Sequence, residues 1–202
     1  MRTGFTGVRH RSPGGIVDQL SQKTGWIEVI CGSMFSGKSE ELIRRIRRAR
    51  IARQKVQVFK PAIDRRDSEE HIVSHDDRRI PSEPVCSAKE ILARTDPDTH
   101  VVGIDEAQFF NLGLVGVCER LADEGKRVIV AGLDQDYRGQ PFEPIPQLLA
   151  IAEVITKTMA VCMVCGKPAN KSQRLVKGDQ RVMLGSEGTY EPRCRHCFEP
   201  PE

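Results

Sequence analysis

The chain is poor in aromatic residues, in long apolar stretches and in unbalanced charge, and each shortage excludes a class of protein. Aromatic side chains make up 5% of the 202 residues, and no apolar run is long enough to cross a bilayer. The net charge is +3, and residues 1–24 account for it through Arg2, Arg9, Arg11 and Lys23 against Asp18. We therefore expect neither a membrane nor a nucleic-acid partner. Residues 1–24 also lack the apolar segment of a secretory signal, so we expect a cytoplasmic protein.

Apolar strand-like runs alternate with helical patterns from residue 25 to residue 159, which indicates an α/β fold with a parallel sheet. The predicted strands are Ile27–Cys31, Val56–Phe59, Val101–Ile104, Val128–Ala131 and Val154–Thr158, and the predicted helices begin near Lys38 or span Ser87–Ala93, Leu112–Glu124 and Pro146–Ala152. The charged segment 64–79 is predicted to be a loop, and the arginines after Lys38 a solvated helix face. We predict a flexible tail over residues 1–24, an α/β domain over 25–159 and a small domain over 160–202.

The segment from Gly32 to Ser39 fits the pattern G-x-x-x-x-G-K-[ST] of a phosphate-binding loop and directly follows the first apolar run. The glycines let successive N–H groups face one anion, and the following helix directs its positive end to the same point. Lys38 supplies a charge for nucleotide phosphates, and Ser39 supplies a hydroxyl ligand for Mg²⁺. The candidate phosphate-binding residues are Gly32, Ser33, Met34, Phe35, Ser36, Gly37, Lys38 and Ser39.

A second nucleotide signal follows the run Val101–Ile104, which ends in Asp105 and Glu106 like a Walker B strand. Asp105 is predicted to hold Mg²⁺, directly or through water. Glu106 is predicted to take a proton from the attacking hydroxyl group. Together the two segments predict phosphoryl transfer from ATP to an acceptor hydroxyl.

Four of the seven cysteines form two C-x-x-C pairs, Cys162 with Cys165 and Cys194 with Cys197. This spacing is typical of a tetrahedral Zn²⁺ site, and four thiolates leave no open position, so we predict a structural metal. Disulfides are the rival interpretation, which a reducing compartment disfavours. The other three cysteines are predicted to be small core residues: Cys31, Cys86 and Cys118.

Between the cysteine pairs, Gln173–Val176 and Gln180–Leu184 flank Gly178 and predict a β-hairpin, and a glycine-containing loop then runs from Gly185 to Tyr190. Two interpretations stay open. The metal holds this loop so that its backbone groups bind a ligand, or the hairpin has a structural role only.

These motifs together resemble the zinc-containing, cytosolic type of thymidine kinase. The similar segments are GSMFSGKS at 32–39, DEAQFF at 105–110, GLDQDY at 132–137 with Pro141 and Phe142, both cysteine pairs and the loop 185–190. The resemblance implies transfer of phosphate from ATP to the 5′-hydroxyl of thymidine, and of deoxyuridine as a poorer substrate, for salvage of DNA precursors. It also implies a RecA-like domain, a zinc domain with a lasso loop, a homotetramer and feedback inhibition by thymidine triphosphate.

The resemblance also implies individual roles. It makes Glu106 the catalytic base and places Lys38, Ser39 and Asp105 at phosphate and Mg²⁺ positions, with Gln108 beside them in the same motif. The residues that it implies for thymidine binding are Met34, Leu133, Tyr137, Phe142, Ser172, Arg181, Val182, Met183, Leu184, Gly185 and Tyr190.

Two other functions fit these residues less well. A P-loop nucleoside monophosphate kinase needs several arginines around the acceptor phosphate, whereas the acceptor-side residues here are aromatic and apolar. A zinc-ribbon ATPase that moves on nucleic acid needs a second core or a basic groove with exposed aromatic side chains.

Overall fold

The computed structural model describes residues 24–63, 71–73, 79–176 and 188–200. The α/β part contains the strands β1 (Trp26–Gly32), β2 (Val56–Pro61), β3 (His71–Val73), β4 (Arg79–Pro81), β5 (Glu83–Val85), β6 (Val101–Ile104), β7 (Arg127–Leu133) and β8 (Val154–Thr158). Its helices are α1 (Lys38–Ile51), α2 (Ala88–Arg94), α3 (Gly113–Asp123) and α4 (Ile145–Ile151). Six strands form one parallel sheet in the order β5-β2-β6-β7-β1-β8.

Apolar side chains cover both faces of this sheet, because successive strand residues point to opposite sides. Helix α1 packs one face, where its residues Leu42 and Ile46 cluster with Ile129 of β7. Helices α2, α3 and α4 pack the other face, where Val130 of β7 lies in the larger cluster. The sequence therefore buries β1, β6 and β7 on both sides, and the carboxyl ends of these strands meet at one edge.

The predicted α/β fold is confirmed, and each predicted strand and helix of the sheet domain lies within two residues of an observed one. The prediction of a loop over residues 64–79 is wrong in part, because the segment contains β3 and the first residue of β4. Strand β3 pairs antiparallel with β4, with Ile72 opposite Ile80. Ile80, which directly follows the segment in β4, is 2% exposed and joins the cluster under α1, so β4 buries an apolar side chain in the core. Residues 64–70 and 74–78 lie outside the described residues.

Two further side chains differ from expectation. Cys86 is exposed rather than in the core, because it follows the end of edge strand β5, whereas Cys31 and Cys118 are buried as predicted. Arg45 was expected on a solvated face but is 8% exposed. Its guanidinium group donates to Glu28 at 2.6 Å and to Glu41 at 2.8 Å, so an ion-pair network compensates its burial.

The C-terminal part of the chain forms a small domain of two short antiparallel ladders. Strand β9 (Ala160–Val161) pairs with β10 (Pro168–Ala169), and β11 (Lys171–Arg174) pairs with β12 (Tyr190–Arg193). The predicted hairpin partner Gln180–Leu184 and its turn at Gly178 lie outside the described residues. Among the described helices, none is long and apolar enough to span a membrane.

Candidate active site and metal centre

The phosphate-binding loop joins the end of β1 to the start of α1, as the sequence predicts. Gly32 has φ 150°, and a Cβ there would lie 2.4 Å from the carbonyl oxygen of Thr158, so only glycine fits. Gly37 caps α1 with φ 81°. Between them, Phe35 adopts φ 61°, an uncommon value for a residue with a side chain. The glycines of the motif therefore allow a tight loop whose N–H groups lead into the helix N-terminus.

Side chains hold this loop in shape. The Lys38 ammonium donates to the Ser33 carbonyl oxygen at 2.7 Å, and the Ser36 hydroxyl donates to the same oxygen at 2.8 Å. Thr158 at the end of β8 lies 2.8 Å from the Ser36 hydroxyl and donates to the Cys31 carbonyl oxygen at 3.1 Å. Thr158 was not predicted as part of the site, since only the sheet topology brings β8 beside β1.

Asp105 meets the loop although β6 and β1 are separated by β7 in the sheet. The Ser39 hydroxyl donates to Asp105 Oδ2 at 3.1 Å. Burial raises the pKa of Asp105 to about 7, assisted by the charge of Glu106, although the Glu106 N–H, Ser39 and Lys38 act in the opposite direction. A hydroxyl and a buried carboxylate at this distance are the oxygen ligands that Mg²⁺ prefers, and a bound cation would favour the charged carboxylate.

Glu106 follows Asp105 in a left-handed conformation with φ 50°. Its N–H donates to Asp105 Oδ1 at 2.9 Å, and its half-buried carboxylate accepts a hydrogen bond from the Gln108 side-chain amide. Gln108 is 3% exposed, and its amide oxygen accepts from the Leu133 N–H at 2.9 Å. The sequence placed Gln108 beside the phosphates, and the structure places its amide between Glu106 and the end of β7.

The small domain touches the phosphate-binding loop through β10 and β11. The Met34 N–H donates to the Ser172 hydroxyl at 3.0 Å, and the Ser33 hydroxyl donates to the Ala169 carbonyl oxygen at 3.4 Å. Ser172 is 4% exposed. One face of β11 therefore lies against the loop that the sequence assigns to phosphate.

Two tyrosines that the resemblance assigns to thymidine lie around one arginine. The guanidinium carbon of Arg174 is 3.4 Å from the ring centroid of Tyr137 and 5.4 Å from that of Tyr190. Arg174 also donates to the Tyr190 hydroxyl at 2.8 Å, and Arg138 donates to the Tyr137 hydroxyl at 2.9 Å. Sequence reasoning missed Arg174, although it lies two residues after Ser172 on the same face of a strand.

Of the other predicted pocket residues, Phe142 is buried near the start of α4, and Leu133 ends β7. The segment between them is closed by the isolated pairing of Gln135 with Pro141. The remaining predicted thymidine-binding residues lie outside the described residues: Arg181, Val182, Met183, Leu184 and Gly185.

The four predicted metal ligands come together. The sulfur atoms of the two cysteine pairs lie within 4.8 Å of one another, and Cys165 and Cys194 are 3.6 Å apart. Sulfurs on one tetrahedral Zn²⁺ at about 2.3 Å are about 3.8 Å apart, so this cluster fits zinc. All four cysteines are free thiols, which excludes the rival interpretation of disulfides in this structure.

The pKa values of the clustered cysteines differ from one another when no metal is bound. Desolvation raises the pKa of Cys162, but backbone N–H groups lower it further, to about 6. The pKa of Cys197 is raised to about 12, chiefly by its hydrogen bond with Cys165. Without a metal the four thiols therefore do not ionise together, whereas a bound Zn²⁺ would stabilise the thiolate form of all four.

A parallel α/β sheet with a phosphate-binding loop after β1 and carboxylates after β6 defines a P-loop enzyme of phosphoryl transfer. Sequence comparison identifies the family: the profile of the family described as thymidine kinase matches residues 25–198. A thymidine kinase from Rhodothermus sp. (strain ITI 518) is 64% identical over 177 residues, which cover 88% of this chain and 83% of that protein. The chain belongs to the thymidine kinase family. This assignment replaces the nucleoside monophosphate kinase and the zinc-ribbon ATPase as interpretations.

Proposed function

We propose that Glu106 is the general base of this thymidine kinase and takes the proton of the thymidine 5′-hydroxyl as that oxygen attacks the γ-phosphate of ATP. The observation that carries the proposal is the contact of Ser39 with Asp105 at 3.1 Å, with Glu106 next in the chain. It puts a candidate base at the carboxyl end of β6, beside the loop that receives the phosphates.

The loop Gly32–Ser39 holds the triphosphate of ATP through its N–H groups, and Lys38 neutralises the oxygens of the transferring phosphoryl group. Ser39 and Asp105 are the residues that would hold Mg²⁺. When bound, this ion neutralises charge on the β- and γ-phosphate oxygens. The catalytic contribution of the chain is then orientation and electrostatic stabilisation of an in-line transfer.

Thymidine binds next to Glu106, between the loop after β7 and the small domain. Its base contacts Met34, Leu133, Tyr137 and Phe142, and its sugar lies near Tyr190 and the Ser172 hydroxyl. The segment Arg181–Gly185 supplies backbone groups to the base. Arg174 supports this arrangement, since one guanidinium group holds both tyrosines.

The Cys₄ site is structural. The hydrophobic cluster around the described cysteines contains only four buried residues: Ala160, Cys162, Ala169 and Cys194. So small a core needs a metal to fold stably.

We extend the proposal to a homotetramer with feedback inhibition by thymidine triphosphate, on the basis of the resemblance. Exposed apolar side chains near the edge strand β8 and the first cysteine pair support an association surface: Ile155, Val161, Met163 and Val164.

The test of the catalytic proposal is Glu106→Gln, which keeps size and hydrogen bonding but removes basicity. We expect turnover to fall by roughly 10²-fold or more, while binding of Mg²⁺·ATP, measured by calorimetry, stays within about twofold. The matched control is Glu119→Gln on the exposed surface of α3, which leaves both quantities unchanged. Near-normal turnover of Glu106→Gln would exclude the role.

A further inference from the structure

The side chain of Gln108 makes two directional contacts. Its amide N–H₂ donates to the Glu106 carboxylate, and its amide oxygen accepts the Leu133 N–H at 2.9 Å. These partners fix the orientation of the amide, since a carboxylate only accepts and a backbone N–H only donates. Reversal of the amide would place like groups against each other at both ends.

The surroundings of Gln108 hold it still. It is 3% exposed and lies in a single 3₁₀ turn, Ala107–Phe109. A Cβ at Gly132 would lie 3.0 Å from the Gln108 amide oxygen and 2.7 Å from the side chain of Ile145, so glycine is needed for the amide to reach β7. The side chain is therefore locked by the core and by the strand backbone together.

Glu106, in contrast, stands in an unusual backbone conformation on a half-buried turn, with φ 50°. A glutamate has three side-chain torsions, so its carboxylate needs an external restraint to keep one direction. The amide of Gln108 is a restraint of this kind, and it connects the carboxylate to Leu133. The loop that follows Leu133 contains the proposed thymidine contact Tyr137.

We propose that Gln108 is a positioning residue that sets the direction of the general base relative to the acceptor pocket, rather than a ligand of ATP or Mg²⁺. The inference rests on the proposed role of Glu106. A general base must point at the acceptor oxygen to within a fraction of an ångström. The fixed amide binds both Glu106 and Leu133, and the proposed acceptor loop begins after Leu133. The position of the base relative to the acceptor is therefore set by one side chain.

The experiment compares two variants. Gln108→Met keeps the length of the side chain but loses both hydrogen bonds. Gln108→Glu keeps an acceptor for the Leu133 N–H but replaces the hydrogen bond to Glu106 with repulsion between two carboxylates. Steady-state kinetics should show kcat lower by about tenfold or more in both variants, because a misplacement of about 1 Å can cost 10²-fold. The KM for ATP and the calorimetric dissociation constant of Mg²⁺·ADP should stay within twofold. Gln54→Met, at a partly exposed position after α1, is the control and should leave all values unchanged.

A tenfold rise in the KM for ATP or in the ADP dissociation constant with unchanged kcat would overturn the proposal in favour of a nucleotide ligand. Unchanged kinetics in both variants would also overturn it. Thermal unfolding of each variant identifies a general loss of folding, and Gln108→Glu then carries the test because it retains the bond to Leu133.

A double-mutant cycle separates this proposal from that for Glu106. If Gln108 acts through Glu106, Gln108→Met should lower kcat much less in the Glu106→Gln background than in the wild type. An equal loss in both backgrounds would refute positioning while leaving the base intact. Near-normal turnover of Glu106→Gln alone would instead refute the base.

Discussion

Glu28 offers a test of how the sheet domain tolerates buried charge. Its side chain is 3% exposed near the start of β1, and it accepts hydrogen bonds from the Trp26 indole at 2.8 Å and from Arg45 and Arg127 at 2.6 Å each. Glu28→Gln keeps the shape of the side chain but removes its charge. Two guanidinium groups then lose a shared counter-ion.

The expected cost follows from the geometry. Removal of one partner of a buried ion pair costs about 3–5 kcal/mol. Arg45 keeps Glu41, whose side chain is 20% exposed, and the Arg127 side chain is itself 18% exposed. We therefore expect the lower end, about 3 kcal/mol, which lowers the melting temperature by about 6–12 °C for a domain of this size.

Trp26 reports this transition directly, because it is the one tryptophan of the chain and its indole binds Glu28. Unfolding followed by tryptophan fluorescence should show the loss for Glu28→Gln. The matched control is Glu90→Gln, which removes the pair with Arg94, whose side chains are 33% and 50% exposed, and should cost less than about 0.5 kcal/mol. Equal melting temperatures for the two variants would refute the reasoning.

The pH dependence gives an independent check. Burial raises the pKa of Glu28, but the hydrogen bonds and charges of Arg127, Trp26 and Arg45 lower it by more. The pKa therefore lies below its usual 4.5. A lowered pKa means that the charged side chain stabilises the fold fully above pH 4.5 and loses this effect as the pH falls through the lower value. The stability difference between wild type and Glu28→Gln should therefore shrink in acid. A difference that grows below pH 4 would contradict the assigned network.

Three further results are expected. Cys194→Ser should lose zinc in elemental analysis and unfold at lower temperature, whereas Cys86→Ser, at an exposed position outside the cluster, should keep both; full zinc content in Cys194→Ser would contradict the Cys₄ assignment. Arg174→Gln should raise the KM for thymidine about tenfold and leave the KM for ATP unchanged. The variant loses a cation–π contact and a charged hydrogen bond, which together exceed about 1.4 kcal/mol, the equivalent of tenfold. A normal KM for thymidine would exclude this role. Phosphate transfer from labelled ATP to a panel of nucleosides should be fastest with thymidine and slower with deoxyuridine, which loses only an apolar contact. Transfer to deoxycytidine should be negligible, because its amino group leaves buried groups unpaired. Efficient use of deoxycytidine would contradict the proposed pocket.

The parts of the site that the sequence predicts are those that local spacing encodes. The loop Gly32–Ser39, the pair Asp105 and Glu106, and each C-x-x-C turn draw their geometry from neighbouring residues. Thr158 and Arg174 escaped notice because their partners are distant in the chain: Thr158 reaches Ser36 across the sheet, and Arg174 reaches Tyr137 from another domain.

Arg45 shows a different limit. The helical period separates the apolar face of α1 from its arginines but does not show which arginine has a buried counter-charge. A usable signal was present in β1, where Glu28 interrupts an otherwise apolar strand that is buried throughout. A carboxylate in such a strand requires a cation from a neighbouring element, and α1 packs directly on that strand.

Strand β11 would connect a metal in the Cys₄ cluster to the proposed active site. Three side chains of this strand make contacts outside it. Ser172 binds the phosphate-binding loop, Lys171 donates to Gln135, and Arg174 lies over the ring of Tyr137. Its partner β12 runs directly into Cys194, and Arg193 donates to the Cys197 carbonyl oxygen at 3.2 Å. A metal that holds the cysteine turns would therefore also hold the strand that contacts both the phosphate-binding loop and Tyr137. Loss of zinc should accordingly weaken thymidine binding as well as lower the stability of the fold.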